Sequence, residues 1–214
     1  MAASSTHFDW IAPVYDALVF MVFGHRLKRA QAVFLDRIPP GASVLIVGGG
    51  TGWLLEPLLT NGLPARIVFL EASARMLAGA SRRMLKQALP GTVEFRLGDE
   101  RSLRPDEHFD VLITPFVLDL FTTETLQTRL IPRLRSALKA DGLLLVTDFI
   151  QTSVWWQQAL LWTMIRFFVL TAGIEARQLA DWQRLLSEAG LWRRESSVQV
   201  SGFVSTDVWS MSGP

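Results

Sequence analysis

The chain has 214 residues, half of them hydrophobic, and sets 21 Lys plus Arg against 20 Asp plus Glu for a formal net charge of +1. That balance excludes a disordered or collagen-like chain and leaves no electrostatic footprint for duplex nucleic acid. Cysteine is absent and there are 3 His, so disulfides, thiolate chemistry and a metal site are not expected.

In chain order, no cationic leader precedes Asp9, and the apolar run Ala17 to Phe23 is too short to span a bilayer. A cytoplasmic protein without integral membrane association is expected. Residues 1–38 read as an aromatic-rich lead-in and helix, 39–150 as a core, and 151–214 as aromatic helices and terminal strands of one domain. Leu27, Ala30, Phe34 and Ile38 fall on one helical stripe over 25–38, which Pro39-Pro40-Gly41 ends. Val44-Leu45-Ile46-Val47 is apolar without alternation, as a central parallel strand requires. A glycine turn follows, then a helix to about Asn61-Gly62 and a second strand from Arg66 to Leu70, closed by Glu71. Ser73 can cap a helix that turns Met76, Leu77, Ala80 and Met84 inward. Thr92 to Leu97 and Phe109 to Thr114 read as the third and fourth strands. Thr123 to Ala140 reads as helix, Asp141-Gly142 as a turn and Leu143 to Phe149 as the fifth strand. A long aromatic segment, Ser153 to Ile174, reads as a buried helix. It is followed by a helix over Leu179 to Ala189 and by two strands joined at Ser201-Gly202. The expected fold is α/β: a doubly wound, mostly parallel seven-stranded sheet with a C-terminal antiparallel strand pair.

Chemistry concentrates at Gly48-Gly49-Gly50-Thr51-Gly52, where a strand delivers glycines to a helix start. A dinucleotide fingerprint needs Gly-x-Gly-x-x-Gly, but the third position is Trp53. The observed spacing, glycine at 48, 50 and 52, is that of the class I S-adenosylmethionine methyltransferases. Glu71, at the tip of the second strand, can accept hydrogen bonds from two ribose hydroxyls, and Asp99, after the third, from an exocyclic amine.

From about residue 7 to 150 the chain resembles a class I methyltransferase of the small-molecule type. Phe8-Asp9-x-Ile11-Ala12-x-x-Tyr15-Asp16 is similar to the opening of the ubiquinone/menaquinone-biosynthesis methyltransferases. Glu71-Ala72-Ser73-Ala74-Arg75-Met76-Leu77, Phe109-Asp110-Val111 and Leu138-Lys139-Ala140-Asp141-Gly142 are similar to further family segments. The resemblance implies S-adenosyl-L-methionine as cofactor, held by Tyr15, Gly48, Gly49, Gly50, Thr51, Gly52, Glu71, Ala72, Met76, Asp99, Glu100 and Thr114. It also implies an N-terminal lid closed by Tyr15. Ile46 departs from the pattern, which places a carboxylate two residues before the first glycine.

Methyl transfer needs in-line alignment and a dry site, and a high-pKa acceptor also needs a base. His7, Tyr15, His25, Asp119 and Asp148 are the candidate bases, and no catalytic residue is assigned among them. Thr114-Pro115-Phe116-Val117 lacks the Asp/Asn-Pro-Pro-aromatic run of nucleic-acid amine methyltransferases. Arg82, Arg83 and Lys86, like Arg129, Arg133 and Arg135, read as solvated helix faces. Five of the eight Trp lie between 155 and 192. Their spread over the aromatic helix leaves one face needing cover by the lid, a second copy of the chain or an apolar ligand. Phe116, Asp119, Trp155 and Trp162 are therefore the candidate acceptor-pocket residues, and the expected acceptor is small and apolar. Two other functions fit parts of the pattern: a non-catalytic binding protein of the same fold and an NAD(P)-dependent oxidoreductase.

Overall fold

The computed structural model describes residues 25–60, 64–89 and 91–213. The lead-in, with Tyr15 and His7, lies outside the described residues. Seven strands form one sheet: β1 (Ser43–Val47), β2 (Arg66–Glu71), β3 (Val93–Leu97), β4 (Phe109–Pro115), β5 (Leu138–Phe149), β6 (Trp192–Gln199) and β7 (Val204–Ser210). Their order is β3-β2-β1-β4-β5-β7-β6. The first five run parallel, and β7 pairs antiparallel with β5 and with β6. The order reverses direction between β1 and β4, and a ligand crevice opens at such a switch point.

Helices cover both faces because the central strands are apolar on both. Val44 and Ile46 of β1 join Phe34, Ile38, Leu55, Leu58 and Ala80 in one buried layer. These come from the turn after α1 (Arg26–Ala32), from α2 (Leu55–Thr60) and from α3 (Ala74–Lys86). Leu45 and Val47 point the other way, into a layer with Leu126, Leu130, Leu134, Trp182 and Leu185. That layer is built by the π-turn (Leu126–Leu130) that follows α4 (Thr123–Thr125), by α5 (Ile131–Ala137) and by α7 (Trp182–Glu188). Trp182 donates from Nε1 to the Phe149 carbonyl at 2.7 Å, so its buried polar atom is satisfied.

Three expectations are corrected. The helix expected over 25–38 breaks after Ala32, and a 3₁₀ turn over Leu35–Arg37 carries the rest of its stripe inward. The helix expected to reach Ala140 ends at Ala137, because Leu138 already pairs with Phe109. The register slips between Phe109 and Val111. There Asp110 accepts from Ser43 N at 2.8 Å and from Lys139 Nζ at 2.8 Å, tying β1, β4 and β5 together. Finally, α6 (Trp155–Ala172) is not a buried helix. Leu161 packs inward with Phe149 and Phe203, whereas Trp155 and Trp162 are 78% and 60% exposed. No helix among the described residues is long and apolar enough to cross a membrane.

Candidate active site

At the switch point the glycine turn leaves β1 and opens onto a cavity of about 230 Å³. Gly48 N donates to the Leu70 carbonyl at 2.8 Å, which starts the turn level with the tip of β2. Gly50 has φ +58, and a Cβ built there would meet no atom of the described residues within 4 Å. It would stand in the cavity instead, so this glycine keeps a stretch of backbone open to a ligand. Gly52 serves packing: a Cβ there would lie 2.6 Å from that of Ala80, so α3 approaches only because the position is bare. Ile46, where a family member would carry a carboxylate, is fully buried against the apolar layer beneath the turn. Arg83 reaches the turn from α3, donating from Nε to the Thr51 carbonyl at 3.1 Å, and so is not the solvated face expected of it.

Glu71 is buried at the tip of β2 with both oxygens engaged. Oε2 accepts from Gly50 N and Oε1 from Ser73 N, each at 2.9 Å. Ser73 in turn caps α3, its Oγ accepting from Met76 N at 3.2 Å. One carboxylate thus fixes the glycine turn and the start of α3 together. Asp99 follows β3, and Arg101 N donates to its Oδ1 at 3.0 Å. Burial works against ionisation of Asp99, but the side-chain and backbone hydrogen bonds from Arg101 outweigh it and hold the carboxyl below its ordinary value. Glu100 is buried, with Oε1 at 2.8 Å from Arg129 Nε in an ion pair that lacks hydrogen-bond alignment. Arg129 also lies 3.4 Å from Glu175 Oε1, and its guanidinium sits over Phe121, 5.6 Å from the ring centroid. The segment after α6 thereby closes on the cavity, an approach completed by Ala176 N donating to the Leu120 carbonyl at 3.1 Å.

The far wall is the turn after β4. Phe116 takes φ +55, and its N–H donates to the Thr147 carbonyl at 2.7 Å. Asp148, fully buried at the end of β5, gathers the N–H groups of Val117 at 3.1 Å and Leu118 at 2.8 Å on Oδ2. Phe149 N donates to its Oδ1 at 2.7 Å. Those bonds make Asp148 the anchor of this turn, so its candidacy as a free base is corrected. Burial, and then the neighbouring charge of Asp119, push its carboxyl well above the ordinary value. Burial raises Asp119 to about 7, and its Oδ1 has no hydrogen-bond partner among the described residues.

The cavity gathers Gly48, Gly49, Gly50, Thr51, Glu71, Ala72, Met76, Asp99, Glu100 and Phe116 from the residues expected in the site. Gly52 lies behind the turn, and Thr114 is buried within β4 and outside the lining. Asp119, Trp155 and Trp162 are outside it too, since the turn after β4 carries Asp119 behind the wall and α6 points both indoles outward. Tyr15 lies outside the described residues, and His25 is exposed at the start of α1. Residues that sequence reasoning missed also line the cavity: Lys28, Gln31, Trp53, Phe121, Arg129 and Glu175. Arg129 stood in a cluster read as solvated, and nothing in its spacing marks the inward turn. Trp53 had a signal, being the large residue placed directly after the glycines.

A backbone turn open at Gly50, a carboxylate at each of two strand tips and apolar walls suit a ligand with a ribose, an adenine-like base and an apolar flank. Residues 44–142 match the methyltransferase domain family. The chain is 32% identical over 146 residues to the ubiquinone/menaquinone biosynthesis C-methyltransferase UbiE of Ectopseudomonas mendocina, covering 66% of this chain and 56% of that protein. It is 33% identical to the protein of the same name from Pseudomonas syringae pv. syringae, with the same coverage. The chain therefore spans little more than half the length of the curated relatives it matches. In fold it is similar to the 1,6-didemethyltoxoflavin-N1-methyltransferase of Burkholderia thailandensis, solved with 1,6-didemethyltoxoflavin and S-adenosylhomocysteine. The TM-score is 0.68 at 16% identity, over 96% of this chain and 86% of that one. It is likewise similar to an O-methyltransferase family 2 protein from Planctomyces limnophilus in complex with apigenin. There the TM-score is 0.70 at 18% identity, over 93% of this chain and 61% of that one.

Proposed function

We propose that the chain transfers a methyl group from S-adenosyl-L-methionine to a small apolar acceptor, a reading supported by the match of residues 44–142 to the methyltransferase domain family and by the sheet order around them. The observation that carries this reading is the convergence of Gly50, Glu71 and Asp99 on one cavity at the switch point. The cofactor supplies an electrophilic methyl group on a sulfonium, which needs little activation. The chain's residues supply position and dryness. Glu71 accepts from ribose hydroxyls, Asp99 with Glu100 borders the base, and the glycine turn offers backbone at close range. Phe116, Leu120, Phe121 and Ile174 give the cavity apolar walls, which exclude water and favour an apolar acceptor over a sugar or nucleic acid. Asp148 is committed to backbone N–H groups, so the reading assigns no general base to it. We read the chain as a single unit acting in the cytoplasm.

The test is calorimetry with S-adenosylmethionine, S-adenosylhomocysteine and NAD(P). Acceptor panels, apolar and polar, are then titrated with S-adenosylhomocysteine present. Binding of the two sulfur nucleosides alone, followed by methyl transfer to apolar acceptors, supports the reading. Binding of NAD(P), or acceptance of polar substrates only, overturns it. Buried Ile46 in place of a carboxylate favours a second reading, a binding protein that holds the cofactor without transferring its methyl group. Tight cofactor binding with no transfer to any acceptor selects that one.

A further inference from the structure

Among the described residues, the charged side chains on the cavity wall are engaged, with one exception. Asp99 is held by Arg101, Arg129 lies between Glu100 and Glu175, and Glu71 accepts two backbone N–H groups. Lys28 differs. It lines the cavity from α1, and it makes no ion pair among the described residues. Its Nζ lies 5.7 Å from the ring centroid of Trp53, the residue that follows the glycine turn. The indole thus holds an ammonium beside the turn without neutralising it. Gln31, one helical turn further along α1, lines the same cavity.

The position of α1 gives this cation a direction. Leu27 and Ala30 pack with Phe149, Leu161 and Phe203, and Thr206 Oγ1 donates to the Ala30 carbonyl at 2.8 Å. The helix therefore stands over the β5–β7 side of the sheet. The carboxylates of Glu71 and Asp99 stand at the tips of β2 and β3, across the switch point. A ligand with its nucleoside at β2 and β3 extends its other end past the glycine turn toward α1. In the cofactor of the proposed reaction that end is an amino acid, with a carboxylate that the acidic nucleoside side would repel.

We propose that Lys28, assisted by the Gln31 amide, receives the carboxylate of the cofactor's amino-acid end and so sets the direction in which the cofactor lies. This rests on the methyltransferase reading above. Lys28 is a binding and positioning residue here, with no part in proton transfer.

The experiment compares two ligands on the full chain by calorimetry. S-adenosylhomocysteine carries the amino acid, whereas 5′-methylthioadenosine shares its nucleoside and thioether but lacks it. Lys28→Met is expected to weaken S-adenosylhomocysteine by roughly tenfold or more, the loss of a charge-assisted contact, and to leave 5′-methylthioadenosine unchanged. Lys28→Arg is expected to recover most of the loss. In the wild type, rising salt should weaken S-adenosylhomocysteine more than 5′-methylthioadenosine, and Lys28→Met should abolish that difference. Thermal unfolding of each variant checks that the fold is intact. Equal weakening of both ligands overturns the proposal by making Lys28 a general wall residue, and weakening of neither makes it a solvated side chain. A wild-type chain that binds neither ligand overturns the methyltransferase reading itself, an outcome distinct from both.

Discussion

Glu71 has two tasks that separate under substitution. It holds the glycine turn and the start of α3 in the protein alone, and it lines the cavity where ribose hydroxyls are proposed to bind. Glu71→Ala is expected to cost about 1.5–3 kcal/mol of S-adenosylhomocysteine affinity. It should also lower the melting temperature, because the N–H groups of Gly50 and Ser73 lose their acceptor. Glu71→Gln keeps one acceptor oxygen and should retain more of both. At Gly50 the φ of +58 is unsuited to a β-branched residue, and Gly50→Val places its side chain in the cavity. Calorimetry should find no S-adenosylhomocysteine binding to that variant, although it folds. Asp119 predicts a pH dependence. Its carboxyl is raised to about 7, so the native state holds a proton that the unfolded chain releases. Its contribution is complete below the ordinary carboxylate value and is lost as pH rises through 7. Denaturant midpoints measured at about pH 5 and about pH 8 should differ less in Asp119→Asn than in the wild type. Asp110 has the opposite sign. Hydrogen bonds from Lys139 and Ser43 pull it to about 2, so its contribution is present near neutrality and lost as pH falls toward that value.

At the level of elements, α6 shows how a helix that is apolar nearly all round meets its surroundings. Its inward side is short, with Leu161 against Phe149 and Phe203, and Gln157 donating to the Ser201 carbonyl at 2.7 Å. Its outward side exposes Trp155 and Trp162, the latter with the Arg166 guanidinium 5.3 Å from its ring centroid. The two sides should answer differently to mutation. Leu161→Ala is expected to destabilise by about 2–5 kcal/mol through the cavity it leaves. Trp162→Ser should change stability by no more than about 0.5 kcal/mol. Chemical denaturation of the two variants checks the contrast, and a large loss at Trp162 would show that the outward face is covered after all. The helix was legible from its aromatic run and its ends from flanking residues. Which face turns inward was not, since apolar residues at nearly every position leave no stripe to read.

Across the whole molecule, the cavity exists because two connections arrive from opposite directions at the switch point. The glycine turn comes off β1 and the Asp148-anchored turn off β4, and α1 and the segment after α6 close the sides. Trp53 is the Trp that lines this cavity among the described residues, while Trp182 and Trp209 are buried elsewhere, Trp155 and Trp162 face outward and Trp156 packs edge-on against Phe203. S-adenosylhomocysteine should therefore quench intrinsic fluorescence mainly through Trp53. Trp53→Phe is expected to remove most of the optical change while calorimetry still detects binding. A full-size signal in that variant would place the ligand away from the glycine turn.

The sequence by itself determined the alternation of strands and helices from 43 to 149, the glycine turn and the acidic strand tips. Each of these rests on local rules: continuous apolar runs, glycine spacing, and a carboxylate at or just past a strand end. Tertiary structure decided what those side chains do. Asp148 reads as a candidate base until the chain brings the backbone of Val117 and Leu118 onto it. Arg129 reads as a solvated cation until Glu100 and Glu175 meet it from distant segments. Lys28 draws no attention on its helix until that helix stands over the switch point. The reason is physical: a charged group's role is set by its partners in space, and for Asp148 and Arg129 these lie 29 to 46 residues away along the chain, beyond the reach of any local pattern.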